Sequence, residues 1–290
     1  MTTGQPAVLR HQLALEMAEL RGDRKLSSIV KDSGVSENTI RRMLDPNEMS
    51  RPSKSNTLAV LKALKAPAAK RKYIMTLWDG AGPGSSTPEY PNLPEPYQVY
   101  VRYERAARRL RKYESLFVPG QCQTEPYARA IITGLLPDAT PTDIEDHVTV
   151  RLQRQALLTK PDPLHLDVVV DEAALRRCVG GPVVMAEQMR RLQELTDLPH
   201  VTLQVIPFSV GVHGGMPGNF AILSPHGAEH ADFVYIENAG NDQFLHNKPD
   251  VTRYADTFDT LRTDKALSPE ASLKLIASVE AELTAIGDNR

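Results

Sequence analysis

Residues 26–45 carry the sequence Leu-Ser-Ser-Ile-Val-Lys-Asp-Ser-Gly-Val-Ser-Glu-Asn-Thr-Ile-Arg-Arg-Met-Leu-Asp, which predicts two short helices separated by a glycine turn. Helical spacing places Val35, Ile40 and Met43 on one side of the second helix. The other side is polar and carries Ser36, Glu37, Asn38, Arg41 and Arg42. An apolar side that packs on neighbouring helices and a polar side with arginines are typical of a helix-turn-helix that enters the DNA major groove.

The second helix is predicted to begin at Ser36, whose hydroxyl can accept a hydrogen bond from the backbone N–H of Asn38 or Thr39. Gly34 stands in the turn, where glycine tolerates the positive φ that such a turn often requires. The first turns of the helix then carry side chains that can contact bases. Asn38 is suited to adenine and Arg41 to guanine, and a good bidentate pair contributes roughly 1–3 kcal/mol of discrimination.

Other polar side chains of this region have predicted supporting roles. Glu37 can accept from cytosine or hold an arginine in place, and Thr39 can touch a phosphate or a thymine methyl. Phosphate contacts, which add affinity without selectivity, are assigned to Arg42, Arg51 and Lys54. The predicted DNA-binding set is Ser36, Glu37, Asn38, Thr39, Arg41, Arg42, Arg51 and Lys54. A helical hairpin inside an ordinary bundle can carry the same pattern, so that alternative stays open.

Length and composition predict a two-domain globular protein of the cytoplasm, associated with the nucleoid if it binds DNA. The chain has 290 residues, enough for two cores. No run approaches the roughly 18 apolar residues of a membrane span, and residues 1–6 lack the features of a signal peptide. The two cysteines, Cys122 and Cys178, lie far apart without metal-ligand spacing, which argues against a disulfide framework or structural zinc.

Charge is distributed unevenly along the chain. Up to Lys112 there are 20 Lys and Arg against 11 Asp and Glu, whereas the remainder has 14 against 25. A basic first third beside an acidic remainder favours a polyanionic partner for one end only, although a chance difference between halves remains an alternative.

The predicted organisation is a helical domain at 1–78, a Pro/Gly-rich linker at 79–97 and an α+β domain at 98–287. Helices of the first domain are predicted at 7–20, 26–33, 37–44, 57–64 and 70–78. Helices of the second are predicted at 99–113, 142–158, 172–178, 182–195, 251–261 and 269–283, and strands at 166–170, 201–206, 220–223 and 233–236. Helix 99–113 is unusually basic and either extends the DNA contacts or pairs with acidic neighbours.

No enzymatic motif, cofactor site or metal site is predicted, and no residue is assigned as catalytic. Asp171 and Glu172 follow a strand and precede a helix, where capping and a favourable dipole interaction explain them more simply than catalysis. Arg176 and Arg177 either clamp an anion or form surface salt bridges. The glycine-rich loop 211–219 leads into a strand instead of a helix, so it is predicted to be a connecting turn or a pocket lip. Three further histidines lack ligand spacing: His226, His230 and His246.

Several ordered segments of the second half support a family resemblance. They are Tyr113-Glu114, Val118-Pro119-Gly120, Gln123-Thr124, Tyr127-Ala128-Arg129-Ala130, Arg151-Leu152-Gln153-Arg154-Gln155, Val170-Asp171-Glu172-Ala173-Ala174-Leu175-Arg176-Arg177 and Val201-Thr202-Leu203-Gln204-Val205-Ile206-Pro207-Phe208. With the helix-turn-helix pattern, the chain resembles the Xre (lambda-repressor-like) regulators, in particular the WhiJ-like type of actinobacteria. At Val30 and Ser33 the chain departs from that family, whose members usually carry alanine and leucine there.

The resemblance implies a multidomain fold, with an all-α, lambda-repressor-like N-terminal domain and a larger α+β C-terminal domain. It further implies a homodimeric transcription factor of development or secondary metabolism that binds double-stranded DNA and no membrane. The C-terminal domain would bind a small-molecule effector or a small companion protein encoded nearby. Two alternatives remain: an antitoxin-like interaction module with a degenerate helix-turn-helix, and an enzyme tethered to a DNA-binding domain.

Overall fold

A computed structural model describes residues 5–46, 48, 50–82, 95–225, 232–237 and 242–288. The chain forms two compact units, Met1–Ala106 and Ala107–Arg290. Most of the predicted linker, residues 83–94, lies outside the described residues, as do His226 and His230. Within the described part of the chain, no helix is long and apolar enough to span a bilayer.

The first unit is helical. Its elements are α1 (Gln5–Arg21), α2 (Leu26–Ser33), α3 (Glu37–Leu44), α4 (Lys54–Ala63), α5 (Ala68–Gly80) and α6 (Glu95–Ala106). The predicted bounds of α2 and α3 are confirmed, and α4 and α5 begin three and two residues before their predicted starts. The helical character predicted for the N-terminal region is therefore correct.

Apolar side chains at helical spacing form the core of this unit. Ile40 and Met43 of α3 are buried there with Leu13 of α1, Leu61 of α4 and Ile74 of α5. Because one face of α3 is buried in this way, its opposite face is left to solvent.

The second unit is built on a mixed six-stranded sheet with the order β3-β2-β1-β4-β5-β6. Its strands are β1 (Ala107–Glu114), β2 (His165–Asp171), β3 (Val201–Ile206), β4 (Phe220–Pro225), β5 (Phe233–Ile236) and β6 (Gln243–Leu245). The first three are parallel, and β4, β5 and β6 continue the sheet in antiparallel pairs. The predicted α+β character is confirmed at this level.

The α-helices that accompany the sheet in the described residues are α7 (Glu125–Leu135), α8 (Pro141–Gln155), α9 (Glu172–Arg176), α10 (Pro182–Thr196), α11 (Lys248–Thr260) and α12 (Pro269–Asp288). The sequence pattern missed α7 and β6, and it placed the other helices within a few residues of their observed bounds. Under the sheet, Tyr113, Val169, Phe220 and Phe258 belong to one apolar cluster.

The prediction of a basic helix at 99–113 was wrong. Helix α6 ends at Ala106, and the following residues form β1, the strand between β2 and β4. Leu110 pairs with Leu166 on one side and Leu223 on the other, so hydrogen bonding to two neighbours outweighs the helix propensity of arginine and leucine. Three of the four cations of β1 are paired with carboxylates: Arg109 with Asp167 at 2.6 Å, Arg111 with Asp232 at 2.7 Å and Lys112 with Glu114 at 2.8 Å.

The division between the two compact units lies after Ala106, at the end of α6. Helix α6 packs against α1, with the Tyr103 ring edge-on to His11 at a centroid distance of 5.1 Å. Since that contact buries Tyr103, the compact N-terminal unit extends to Ala106.

Candidate functional site

The eight residues predicted to contact DNA all lie in the first unit, and six of their side chains are exposed. The exposed ones are Ser36, Glu37, Asn38, Arg41, Arg42 and Lys54, whereas Thr39 and Arg51 are partly buried. Five of the eight come from the first two turns of α3, namely Glu37, Asn38, Thr39, Arg41 and Arg42. Their placement on the outer face of α3 follows from burial of its apolar face.

The turn before α3 has the local geometry that the sequence predicts. Gly34 ends α2 with φ +69°, and its N–H donates to the carbonyl of Val30. Ser36 caps α3, its hydroxyl accepting from the Thr39 N–H at 3.3 Å and lying 2.8 Å from the Thr39 hydroxyl. These contacts fix the start of α3 and the direction in which its first turn points.

Arg41 is held by Glu37 one turn earlier in α3. Its Nη2 and Nε lie 2.6 and 3.1 Å from Glu37 Oε1. Both side chains are largely exposed, so this pair is weak enough to exchange for another partner. In the protein without DNA, Glu37 therefore holds Arg41 in place, which is one of the two roles predicted for it.

Arg42 is held by Glu48, a residue that the sequence pattern did not single out. Arg42 Nε lies 2.6 Å from Glu48 Oε2, and Arg42 Nη2 donates to Ser50 Oγ at 2.9 Å. Glu48 Oε1 accepts from both the backbone N–H and the hydroxyl of Ser50. The hydrogen bond from Arg42, together with those from Ser50, lowers the pKa of Glu48 to about 2, and the same carboxylate raises the pKa of Arg42.

A second missed residue, Arg10 of α1, lies beneath this network. Its guanidinium is buried, with Nε donating to the Ser50 carbonyl and Nη2 to the Arg42 carbonyl, both at 2.8 Å. Nη1 is buried and has no hydrogen-bond partner in the described part of the chain. Burial lowers the pKa of Arg10 to about 10, against the opposing effect of Glu48. Only tertiary structure could reveal this residue, since 32 positions separate it from Arg42.

A cavity of about 190 Å³ opens over these groups. Its lining consists of Arg10, Thr39, Arg42, Met43, Glu48, Ser50, Arg51, Pro52 and Ser53. Arg51 also stacks on Trp78, with its guanidinium carbon 4.0 Å from the ring centroid, and Lys54 Nζ lies 5.2 Å from the same ring. The three residues predicted to contact phosphate are therefore neighbours. Arg42 and Arg51 line one cavity, and Lys54 and Arg51 both lie beside the Trp78 ring.

In the second unit, the carboxylates at the end of β2 have structural roles. Asp171 caps α9 by accepting from the Ala173 N–H at 2.8 Å. Glu172 Oε1 pairs with Arg176 at 2.6 Å, and its Oε2 accepts from the Phe208 N–H at 2.9 Å. Arg176 also pairs with Glu282. The capping role of Asp171 is confirmed, and Arg176 forms salt bridges.

Loop 207–219, which contains the glycine-rich segment 211–219, joins β3 to β4, so the prediction of a connecting turn at 211–219 is confirmed. His213 is buried, with Nδ1 accepting from the Gly215 N–H at 3.2 Å, which leaves the ring proton on Nε2, 3.3 Å from Asp171 Oδ2. Although the loop is anchored, three of its large apolar side chains are exposed: Phe208, Val212 and Met216. We call these three side chains the apolar patch.

A second apolar surface lies beside α12. It is a cavity of about 590 Å³ lined by Arg176, Cys178, Gly181, Pro182, Val279, Glu282, Leu283 and Ile286. Among the residues that the structure describes, no cluster of three or more His, Cys, Asp and Glu side chains is arranged to hold a metal ion.

These features define a two-unit protein, in which a helical unit with an exposed polar helix precedes an α+β unit with exposed apolar surfaces. Residues 97–278 match the family described as "Domain of unknown function (DUF5753)", and the chain belongs to that family. No curated protein matches the chain, and no solved structure matches it. Since the family match does not include α1 to α5, the resemblance to Xre and WhiJ-like regulators stays a prediction.

Proposed function

We propose that the protein is a sequence-specific DNA-binding transcriptional regulator whose C-terminal unit binds an effector or a small companion protein. The observation that carries the proposal is the outer face of α3, where Asn38 and Arg41 are exposed on a helix that Ser36 caps and a buried apolar face holds. Control of development or secondary metabolism is proposed from the WhiJ-like resemblance alone.

Base contacts are assigned to the first two turns of α3. Asn38 has an exposed amide, which can bond adenine through two hydrogen bonds, and Arg41 can do the same with guanine after leaving Glu37. Because the Glu37–Arg41 pair lies in solvent, its loss costs little compared with a bidentate base contact. Arg42, Arg51 and Lys54 supply phosphate contacts beside α3.

A homodimer would place two copies of α3 about one helical turn apart on a near-palindromic site. Binding of an effector or companion to the C-terminal unit would then bias the spacing between these helices.

Partner binding by the C-terminal unit is supported by the apolar patch. Glu172 and His213 anchor the loop, so Phe208, Val212 and Met216 are exposed on a defined backbone. Exposed apolar groups held in place are typical of protein interaction surfaces, because little conformational entropy is lost when a partner covers them. This observation favours a protein companion over a small molecule.

One observation favours the alternative of an antitoxin-like module that no longer distinguishes bases. Both arginines of α3 are paired with carboxylates of the same unit, Arg41 with Glu37 and Arg42 with Glu48. If those pairs persist on DNA, the guanine contact of Arg41 is lost, and Asn38 is left as the one bidentate base contact assigned to α3.

The test is fluorescence anisotropy on the DNA upstream of the protein's own gene and on a scrambled duplex, across a salt series. Arg41→Ala is compared with Lys62→Ala, which removes the same charge from an exposed position eight residues beyond Lys54 in α4. We expect cognate binding about 10³-fold or more tighter than scrambled binding, with discrimination reduced by Arg41→Ala and retained by Lys62→Ala. Equal, weak and salt-sensitive binding to both duplexes would reject the regulator and favour the antitoxin-like module.

A further inference from the structure

The cavity beside α3 has an excess of positive charge. Among the described residues, its lining contains three arginines, Arg10, Arg42 and Arg51, and one carboxylate, that of Glu48. Hydroxyl groups of Thr39, Ser50 and Ser53 complete the polar lining. Guanidinium and hydroxyl groups in this combination are the donors that bind phosphate oxygens in proteins.

Arg10 provides an observation independent of the exposed arginines. Its side chain is 2% exposed, and it donates from Nε and Nη2 to the main chain, whereas Nη1 has no partner among the residues that the structure describes. A buried charged donor without an acceptor is unfavourable. An anion in the cavity that this residue lines would offset that cost.

Glu48 occupies the place of such an anion on Arg42. One of its oxygens accepts from the Arg42 guanidinium, and the other accepts from the N–H and hydroxyl of Ser50. A phosphate has the same charge-assisted bonding to arginine and hydroxyl donors, with additional oxygens for Arg51 and Arg10. Carboxylate and phosphate would therefore compete for Arg42.

We propose that this cavity is a phosphate-binding site and that Glu48 is its internal competitor, occupying Arg42 until a phosphate group replaces it. Where the bound phosphate belongs to a DNA backbone, the proposal rests on the proposed function. Glu48 then lowers affinity for every duplex equally, because phosphates carry no sequence information.

The first experiment needs no DNA. Trp78 is the only tryptophan of the chain, and it stacks on Arg51 of the cavity lining, so its fluorescence can report a bound anion. Sodium phosphate is titrated into full-length wild type, Glu48→Gln, Arg42→Ala and Asp32→Asn, with sodium chloride holding the ionic strength constant. Asp32→Asn is the matched control, because it removes the same charge from an exposed position of α2.

We expect Glu48→Gln to bind phosphate at least tenfold tighter than wild type, Asp32→Asn to match wild type and Arg42→Ala to show no response. Circular dichroism establishes that each variant is folded. If Glu48→Gln fails to fold, wild type against Arg42→Ala at high phosphate still tests the site. Equal responses of these two proteins would overturn the phosphate site, and equal responses of wild type and folded Glu48→Gln would reject Glu48 as its competitor.

The second experiment uses the cognate and scrambled duplexes. Freeing Arg42 for one more phosphate should steepen the slope of log affinity against log salt by about 0.9, so affinity falls roughly 3.5-fold more between 50 and 200 mM salt. Glu48→Gln should strengthen binding to both duplexes by the same factor. If wild type does not discriminate between duplexes, the proposed function fails while the phosphate titration still decides the cavity. If discrimination is present and Glu48→Gln changes neither slope nor phosphate binding, only the competitor is rejected.

Discussion

Replacing Gly215 by alanine tests how tightly loop 207–219 is packed on the sheet. A Cβ at this position would lie 2.5 Å from Cζ and 2.6 Å from Cε1 of Tyr113. The ring cannot move aside easily, because it is fully buried on β1 and packs against His213 and Phe220 at centroid distances of 5.9 and 5.8 Å. Overpacking of this kind costs about 1–3 kcal/mol.

The neighbouring glycine is a matched control for this substitution. At Gly214 the nearest atom to an added Cβ is Thr257 Cγ2 at 3.6 Å, an ordinary contact, so Gly214→Ala should be neutral or stabilise by about 0.4–1 kcal/mol. With about 2–4 °C per kcal/mol for a unit of this size, a difference near 2 kcal/mol separates the variants by about 4–8 °C in calorimetry. Equal unfolding midpoints of Gly215→Ala and Gly214→Ala would refute the clash. It would also be refuted if adding Tyr113→Leu did not reduce the destabilisation caused by Gly215→Ala.

Three further predictions use other features of the structure. The pKa of Glu48 is lowered to about 2 on folding, so its stabilising contribution, present above about pH 4.5, should disappear as pH falls towards 2, and acid titration of Glu48→Gln should lack this component. Burial raises the pKa of Cys122 to about 12, so a thiol reagent should modify exposed Cys178 alone in native protein and both cysteines in denaturant. Gly34→Ala should lower the free energy of unfolding in urea by about 1 kcal/mol. The cost is backbone strain at φ +69° and not a steric clash, since no described atom lies within 4 Å of the added Cβ; an unchanged midpoint would contradict this.

Local patterns were sufficient for most of the elements. In α3 the apolar spacing, the Ser36 cap and the Gly34 turn all favour the same structure, and the observed bounds agree with the prediction. In β1 the local pattern conflicts with the tertiary structure. Arginine, leucine and lysine favour a helix, whereas the segment lies between two strands of the sheet. The partners of β1 are about 55 and 110 residues away in sequence, so no local pattern contains them.

The candidate site divides in the same way. Exposure of Asn38 and Arg41 follows from helical periodicity alone, because burying one face of α3 leaves the other in water. Arg10 and Glu48 could not be found by that reasoning, since a basic residue in α1 and an acidic one in a loop have no distinctive local pattern. The contact of Arg10 with Arg42 arises only when α1 packs beside α3, and the contact of Glu48 with Arg42 depends on the fold of the loop after α3.

By itself, the sequence determined the helical N-terminal region, the α2–turn–α3 geometry and the presence of a larger α+β region, because these depend on hydrophobic periodicity and capping over a few residues. Tertiary structure alone decided that residues 107–114 are a central strand, that His213 is buried against Asp171, and that Arg10 of α1 is buried against the backbone carbonyls of Arg42 and Ser50. These outcomes depend on hydrogen bonds and charge pairs between distant segments, whose energies appear only after folding brings the partners together and removes water from them.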